Sequence, residues 1–271
     1  MVQMADARNS PIGIFDSGIG GLTVANAIHK ALPEEQLIYF GDTAHLPYGD
    51  KSADAIRFYS LKISKFLLEQ GCKMIVIACN SASSAAYNTL LDFFEGKALF
   101  VNVVDPLVSA AVDGNFDQIG VIATKATIRS NIYRDKIKHN LQGAKIHSLA
   151  TPLLAPMIEE GFYSGKISQS VIETYLGRDE FKAIQALLLA CTHYPLIKSE
   201  IEKFYDHKVA VMDSTDVVAS YVEKLLRENE MLALKREKEN EFYVSDYTSS
   251  FEETAKNFYG EEIELKISHI W

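Results

Sequence analysis

The sequence predicts an α/β protein in which one parallel-sheet unit is built twice. Three observations predict it. Between residues 12 and 104, short apolar runs alternate with longer stretches of helical periodicity, the pattern of a parallel sheet covered by helices on both faces. A second series of the same kind opens at Gln118-Ile119-Gly120-Val121-Ile122 and ends near Val209-Ala210-Val211-Met212, and its Ile119-Gly120-Val121-Ile122 matches Ile12-Gly13-Ile14-Phe15. Each series also delivers a cysteine at the end of an apolar run, in Ile75-Val76-Ile77-Ala78-Cys79-Asn80-Ser81 and Leu187-Leu188-Leu189-Ala190-Cys191-Thr192-His193. The spans from the matched glycines to the cysteines, 13 to 79 and 120 to 191, are nearly equal.

In order, strands are expected at residues 12–15, 36–40, 74–78 and 99–103, with helices at 21–32, 53–70 and 83–94 between them. After the second series a helix is expected at 217–226. The charged stretch 227–241 reads as a solvated helix face and linker. The last segment supplies a strand at 242–244, a helix near 251–258 and a strand-like tail at 262–267. In sheets of this kind ligands bind beyond the carboxyl ends of the strands, so the residues that follow the apolar runs are the candidates for chemistry.

Composition narrows the classes. The 271 residues are enough for one large α/β core or two domains of roughly 100 to 150 residues. Apolar residues at 48% and charged residues at 23% are ordinary for a globular protein, and no run reaches the roughly 20 apolar residues of a membrane span. The net charge of −9 argues against nucleic-acid binding, which needs clustered Lys and Arg. An anionic ligand still fits if backbone amides at helix starts hold it. Residues 1–11 carry Asp6 and Arg8 and lack the basic start and apolar centre of a secretory signal, so a cytoplasmic location is expected, with the three cysteines as free thiols.

Cys79 and Cys191, taken singly, fit the role of small core residues. Taken together, both leave an apolar strand and precede polar residues, and His193 stands two places after the second. A thiol near its ordinary pKa of about 8.5 is mostly protonated at neutral pH, so a site that uses one needs a partner for the proton. Asp16 and His193 are the candidates, although Asp16 also suits a helix cap and a lone histidine suits packing. Cys72 sits in the turn Gly71-Cys72-Lys73 without a repeated context and reads as structural or exposed. Zinc is a minor alternative for Cys79, Cys191 and His193, because no Cys-x-x-Cys or His-x-x-x-His spacing occurs.

Two loops complete the candidates. Asp16-Ser17-Gly18-Ile19-Gly20-Gly21 follows a strand but has Thr23 where the dinucleotide fingerprint needs its third glycine. It suits a turn whose amides and Ser17 hydroxyl hold a small charged ligand. Gly41-Asp42-Thr43-Ala44-His45-Leu46-Pro47-Tyr48-Gly49 offers a phenol and an unhindered glycine amide, or simply turns that Pro47 and Gly49 permit.

Four blocks, Phe15-Asp16-Ser17-Gly18-Ile19-Gly20-Gly21, Tyr39-Phe40-Gly41-Asp42-Thr43 with Pro47-Tyr48-Gly49, Ala78-Cys79-Asn80-Ser81-Ala82-Ser83 and Cys191-Thr192-His193-Tyr194-Pro195-Leu196, together resemble the glutamate racemases of the aspartate/glutamate racemase superfamily. They occur in that family's order and span most of the chain. The resemblance implies two pseudo-symmetric α/β domains with mainly parallel central sheets and the active site in the cleft between them. Residues 1–104 and 214–271 would form the first domain and 105–213 the second. It further implies interconversion of L- and D-glutamate without pyridoxal phosphate or metal, supply of D-glutamate for peptidoglycan, and a homodimer.

By the same resemblance Cys79 deprotonates the D-enantiomer with help from Asp16, and Cys191 the L-enantiomer with help from His193. Two acid/base groups suit the reaction independently, since inversion takes a proton from one face of a carbon and returns one to the other. The resemblance places substrate contacts on Asp16, Ser17, Tyr48, Gly49, Asn80, Ser81, Thr192 and His193. Glu159, with Glu160 beside it, matches an acidic position near the second thiol; a solvated helix face is the other reading of both. Two positions depart from the family's pattern: Ser81 stands for its threonine and Ala190 for its glycine. The alternatives are racemisation of aspartate or another amino acid on the same scaffold, or a non-catalytic amino-acid-binding regulator. The Pro47-Tyr48-Gly49 loop favours glutamate over the first, and the intact Cys79, Cys191, Asp16 and His193 speak against the second.

Overall fold

The computed structural model describes residues 8–271. Residues 1–7, with the Asp6 used in the reading of the amino terminus, lie outside the described residues. The first series forms strands β1 (Ile12–Asp16), β2 (Leu37–Gly41), β3 (Met74–Ile77) and β4 (Leu99–Asn102). Helices α1 (Leu22–Ala31), α2 (Ala53–Glu69) and α3 (Asn80–Phe93) connect them, and α4 (Val104–Asp113) follows. The second series forms β5 (Gln118–Ala123), β6 (Lys145–Ala150), β7 (Ala186–Ala190) and β8 (Ala210–Asp213), with α5 (Lys125–Ser130), α6 (Ile132–Asn140), α7 (Leu154–Glu159), α8 (Lys166–Leu176) and α9 (Lys198–Phe204) between them. The chain ends with α10 (Thr215–Glu228), β9 (Glu241–Val244), α11 (Ser249–Tyr259) and β10 (Leu265–Ile267).

The strands make two sheets, β10-β9-β2-β1-β3-β4 and β6-β5-β7-β8, and every strand pair is parallel. The orders β2-β1-β3-β4 and β6-β5-β7-β8 are the same order met twice, so the duplication read from the sequence is a duplication of topology. The register agrees as well. Gly13 pairs with Ile75 and Gly120 with Leu187, and each cysteine follows its glycine's partner by the same interval, 75 to 79 and 187 to 191. The two thiols therefore leave equivalent points of the two sheets.

Burial explains why these runs became strands. Every residue of β1, β2, β3 and β7 is buried, as expected where helices cover both faces of a parallel sheet. One core cluster runs without interruption from Ile12, Ile14 and Val76 of the first sheet to Ile122, Leu187 and Leu189 of the second. Helix α10 helps to join the halves. It buries Val218, Ala219, Val222 and Leu226, one stripe of a 3.6-residue period, and packs on α1 and α4.

Two expectations change. Helix α3 begins at Asn80 rather than near residue 83, because the Cys79 sulfur accepts the Ala82 N–H at 3.4 Å and so caps the helix three residues earlier. The charged stretch 227–241 is a helix end followed by an irregular segment tied along the start of β2. Glu35 Oε1 accepts the Ala233 N–H at 2.8 Å, and Asn240 Oδ1 accepts the Leu37 N–H at 2.9 Å. Among the described residues, no helix is long and apolar enough to cross a membrane.

Candidate active site

The two thiols emerge on one cavity of about 240 Å³. Ser17, Gly18, Leu46, Tyr48, Gly49, Cys79, Asn80 and Ser81 wall it from the first sheet, and Thr124, Pro156, Glu159, Cys191, Thr192 and His193 from the second. Strand ends point their following residues into the space between the sheets, which is why both cysteines and the polar residues behind them meet there.

Cys79 sits at the amino end of α3, with its sulfur 3.7 Å from Ser17 Oγ and on the Ala82 N–H. A helix start favours negative charge. Here that effect loses: burial first, then the nearby Asp16 carboxylate, push the Cys79 thiol up to about 12, against the opposing Ala82 and Ser17 hydrogen bonds. Burial and the neighbouring carboxylate accordingly favour the thiol form of Cys79. Asp16 ends β1 directly beneath it in the fold, is only 1% exposed and stands behind the cavity wall. Burial raises its carboxyl, while His193 and the backbone N–H groups of Gly21, Gly18 and Ser17 pull it down. Asp16 Oδ2 accepts the Gly18 N–H at 3.1 Å, and Oδ1 is buried without a partner. Asp16 thus holds the loop that touches the cavity.

Cys191 has a different neighbour. Its sulfur is 3.7 Å from His193 Nδ1, and His193 Nε2 meets Glu159 Oε1 at 2.8 Å. Burial disfavours charge on the imidazole, but hydrogen bonds to Cys191 and Glu159 outweigh it and raise His193 to about 10. The ring is therefore an imidazolium at neutral pH, held between a sulfur and a carboxylate. Glu159, not the exposed Glu160, is the residue that reaches it. The edge of Phe258 on α11 covers the ring at a centroid distance of 5.1 Å.

That raised value has a sign that can be tested. Because His193 binds its proton more tightly folded than unfolded (ordinary value 6.5), the proton stabilises the fold fully below about pH 6.5, and this stability is lost as pH climbs through about 10. The melting temperature of the wild type should fall between these values, and His193→Gln should flatten that part of the curve. An identical slope in the variant would assign the loss to other groups.

Close approaches fix the distance between the halves. A Cβ on Gly20 would stand 2.5 Å from the His193 ring and 2.6 Å from Thr192 Oγ1, and one on Gly49 would stand 2.8 Å from Thr124 Cβ. Thr23 Oγ1 also donates to the Thr192 carbonyl at 3.0 Å. Gly20→Ala should displace His193 and lower kcat/KM by about 10²-fold, the usual cost of an ångström of misplacement. The check is steady-state kinetics beside a melting curve that shows the fold retained.

The remaining candidates sort by what they touch. Ser81 Oγ lies 2.9 Å from Thr124 Oγ1, the residue that caps α5, so this pair crosses between the halves. Asn80 Oδ1 accepts the Tyr133 hydroxyl at 2.5 Å, and Asn80 Nδ2 is buried with no partner. The Tyr48 phenol gives its hydrogen to Asp42 Oδ2 at 2.6 Å, and burial followed by Asp42 lifts its pKa far above the ordinary value. Its O–H donor is used inside the protein. Tyr48 and Gly49 line the cavity at the start of the short 3₁₀ turn Tyr48–Asp50, whose first backbone N–H groups have no intrahelical acceptor. The methyl of Ala190, at the position departing from the family's pattern, packs into the core on the far side of β7 from the Cys191 side chain.

Thr124 and Pro156 on the wall, and Tyr133 behind it, have no counterpart among the residues singled out from sequence, and Tyr39, Asp42 and Thr23, also behind it, stand in the quoted stretches without a role of their own. Tyr39 Oη donates to Gly18 O at 2.9 Å and holds the Ser17–Gly18 turn. One of these had a signal: Ile122-Ala123-Thr124 ends an apolar run in Ala plus a small polar residue, as Ala78-Cys79 and Ala190-Cys191 do. Among the described residues, no group of three or more His, Cys, Asp and Glu side chains is arranged to hold a metal ion.

Fold and cavity define the class: a twice-built parallel α/β protein with two thiols, differently partnered, on one cavity between its sheets. The profile of the Asp/Glu/hydantoin racemases matches residues 21–222, and the chain belongs to that family. It is 39% identical over 268 residues to a glutamate racemase of Chlorobaculum tepidum, covering 97% of each chain, and 39% identical over 259 residues to one of Aquifex aeolicus, covering 95% and 97%. The crystal structure of glutamate racemase from Francisella tularensis in complex with D-glutamate superposes with a TM-score of 0.91 at 38% identity, covering 97% of this chain and 98% of that one.

Proposed function

We propose that the protein interconverts L- and D-glutamate by a two-base mechanism in which Cys79 and Cys191 work from opposite faces of the α-carbon. The observation that carries this reading is the pair of thiols on one cavity with unlike partners, a buried carboxyl for one and an imidazolium for the other. In the direction from L- to D-glutamate the form that reacts has Cys79 carrying its proton and Cys191, beside the imidazolium, ready as the base. This state accepts L-glutamate. Cys191 removes the α-proton and Cys79 delivers its own to the other face, leaving D-glutamate and the charges interchanged. Asp16, whose carboxyl burial pushes toward protonation, then shares the proton demand of the Cys79 thiolate, and His193 and Glu159 serve Cys191.

Charge that builds on the α-carbon spreads into the α-carboxylate, so fixed donors at that group lower the barrier. Asp16, Ser17, Tyr48, Gly49, Asn80, Ser81, Thr192 and His193 are assigned to substrate binding, with the backbone amides of Tyr48 and Gly49 and the unpartnered Asn80 Nδ2 as ready donors. No metal or pyridoxal phosphate enters the scheme. We further assign residues 1–104 and 214–271 to the first domain and 105–213 to the second, a division supported by β9 and β10 joining the first sheet. D-Glutamate made in the cytoplasm by a homodimer, for peptidoglycan, completes the proposal.

The test is L-glutamate in D₂O with a chelator present and no pyridoxal phosphate. Optical rotation should decay to zero while one deuterium enters each inverted α-position. Inversion with retention of the original hydrogen, or a strict need for metal or pyridoxal phosphate, would sink the two-base scheme.

A further inference from the structure

The wall formed by Leu46, Pro47, Tyr48 and Gly49 is supported from outside by a continuous series of contacts. Tyr48 Oη donates to Asp42 Oδ2 at 2.6 Å, and His45 Nδ1 lies 2.8 Å from Asp42 Oδ1. Asp42 is fully buried, and Ser245 Oγ, just past β9, donates to the same Oδ1 at 2.8 Å. The His45 ring is stacked on Tyr59 at 4.3 Å and meets the edge of Trp271 at 4.5 Å. Tyr59 in turn lies 5.4 Å from Trp271 and 5.6 Å from Tyr48. Trp271 thus touches two rings, Tyr59, which meets Tyr48 directly, and His45, which reaches it through Asp42.

We propose that Trp271 is a positioning residue for the substrate cavity, clamping His45 and Tyr59 so that Asp42 and Tyr48 hold the Tyr48–Gly49 amides at a fixed place on the wall. The inference rests on the reading that these amides bind the substrate's carboxylate. Physical reasons favour a clamp over a purely stabilising contact. Every link from Trp271 inward is a directional contact, either an aromatic pair of defined geometry or a hydrogen bond to a carboxylate whose acceptors are all engaged. Trp271 itself is 43% exposed, so its indole can be removed without opening the core. The backbone before it is anchored independently, by Ser268 N–H to Val244 O at 2.9 Å and by Ile270 packing against the core of the first sheet. Deleting the ring therefore frees the loop and leaves the segment in place.

Trp271 is also the only tryptophan in the chain, so intrinsic emission reports on this contact alone. Titration of the wild type with DL-glutamate should shift that emission, with half-saturation near KM. Trp271→Ala should raise KM for both enantiomers about five- to tenfold, the scale of a lost aromatic contact, with kcat within about twofold. Trp271→Phe should restore most of the affinity. His45→Ala combined with Trp271→Ala should raise KM by less than the product of the two single effects, since both act on Asp42 and Tyr48 while Trp271 also acts through Tyr59. Flat emission at saturating glutamate together with an unchanged KM in Trp271→Ala overturns the clamp; so does a loss confined to melting temperature. A wild type that fails to racemise glutamate overturns the functional reading beneath it, a distinct outcome.

Discussion

Cys79→Ala and Cys191→Ala each lose racemisation by at least about 10³-fold, since each removes one of two obligatory proton carriers and a single acid/base group contributes 10² to 10⁴. Both fold normally, because an alanine fills most of a small buried site at a modest packing cost. The loss is equal in the two directions. L- and D-glutamate have the same free energy in water, so kcat/KM for one cannot fall without the other. The two variants part company in exchange without inversion. With Cys191 gone, Cys79 can still take the α-proton of D-glutamate and return a solvent proton to the same face, so D-glutamate should slowly acquire deuterium in D₂O and keep its hand. Cys79→Ala should do the same with L-glutamate. Proton NMR of the α-position checks both, and full activity in either variant would end the two-base assignment.

His193→Gln carries the second large effect, a fall of about 10² to 10³ in kcat/KM, again equal for both enantiomers. The imidazolium stands 3.7 Å from the Cys191 sulfur and is held by Glu159 at 2.8 Å, so glutamine removes the positive charge beside that sulfur and the proton that interchange of the two states requires. Glu159→Gln should have a smaller effect and move the alkaline fall of activity to lower pH, because Glu159 is one of the groups that raise His193 toward about 10. A pH–rate profile unchanged in Glu159→Gln would show that the carboxylate, 39% exposed on its side chain, does not reach the imidazole's titration.

Much of this was legible in the chain because buried parallel strands must be apolar on both faces. The runs at β1, β2, β3 and β7 announce themselves, and the residues after them are the ones that face the cleft. β6 does not: Lys145, His147 and Ser148 interrupt it, as an edge strand with partly exposed residues allows. The start of α3 was misplaced because propensity does not register a thiol as a helix cap. Partners far apart in sequence were also out of reach. Asp42 meets Ser245, Thr23 meets Thr192 and Asn80 meets Tyr133, and no local pattern pairs them. The hydrogen bond that the Tyr48 phenol donates to Asp42 is likewise visible only in the fold.

The two glycine approaches carry a mechanical consequence. Gly20 lies against His193 and Thr192, and Gly49 against Thr124, with no side chain between backbone and neighbour. They act as end stops: the halves cannot close beyond the point where bare backbone meets the side chains of His193, Thr192 and Thr124. The approach of the halves is then limited by bare main chain on one side and by three side chains of the second half on the other. A gauge of that kind keeps the proton's flight path the same length for either mirror image, whichever sulfur fires first.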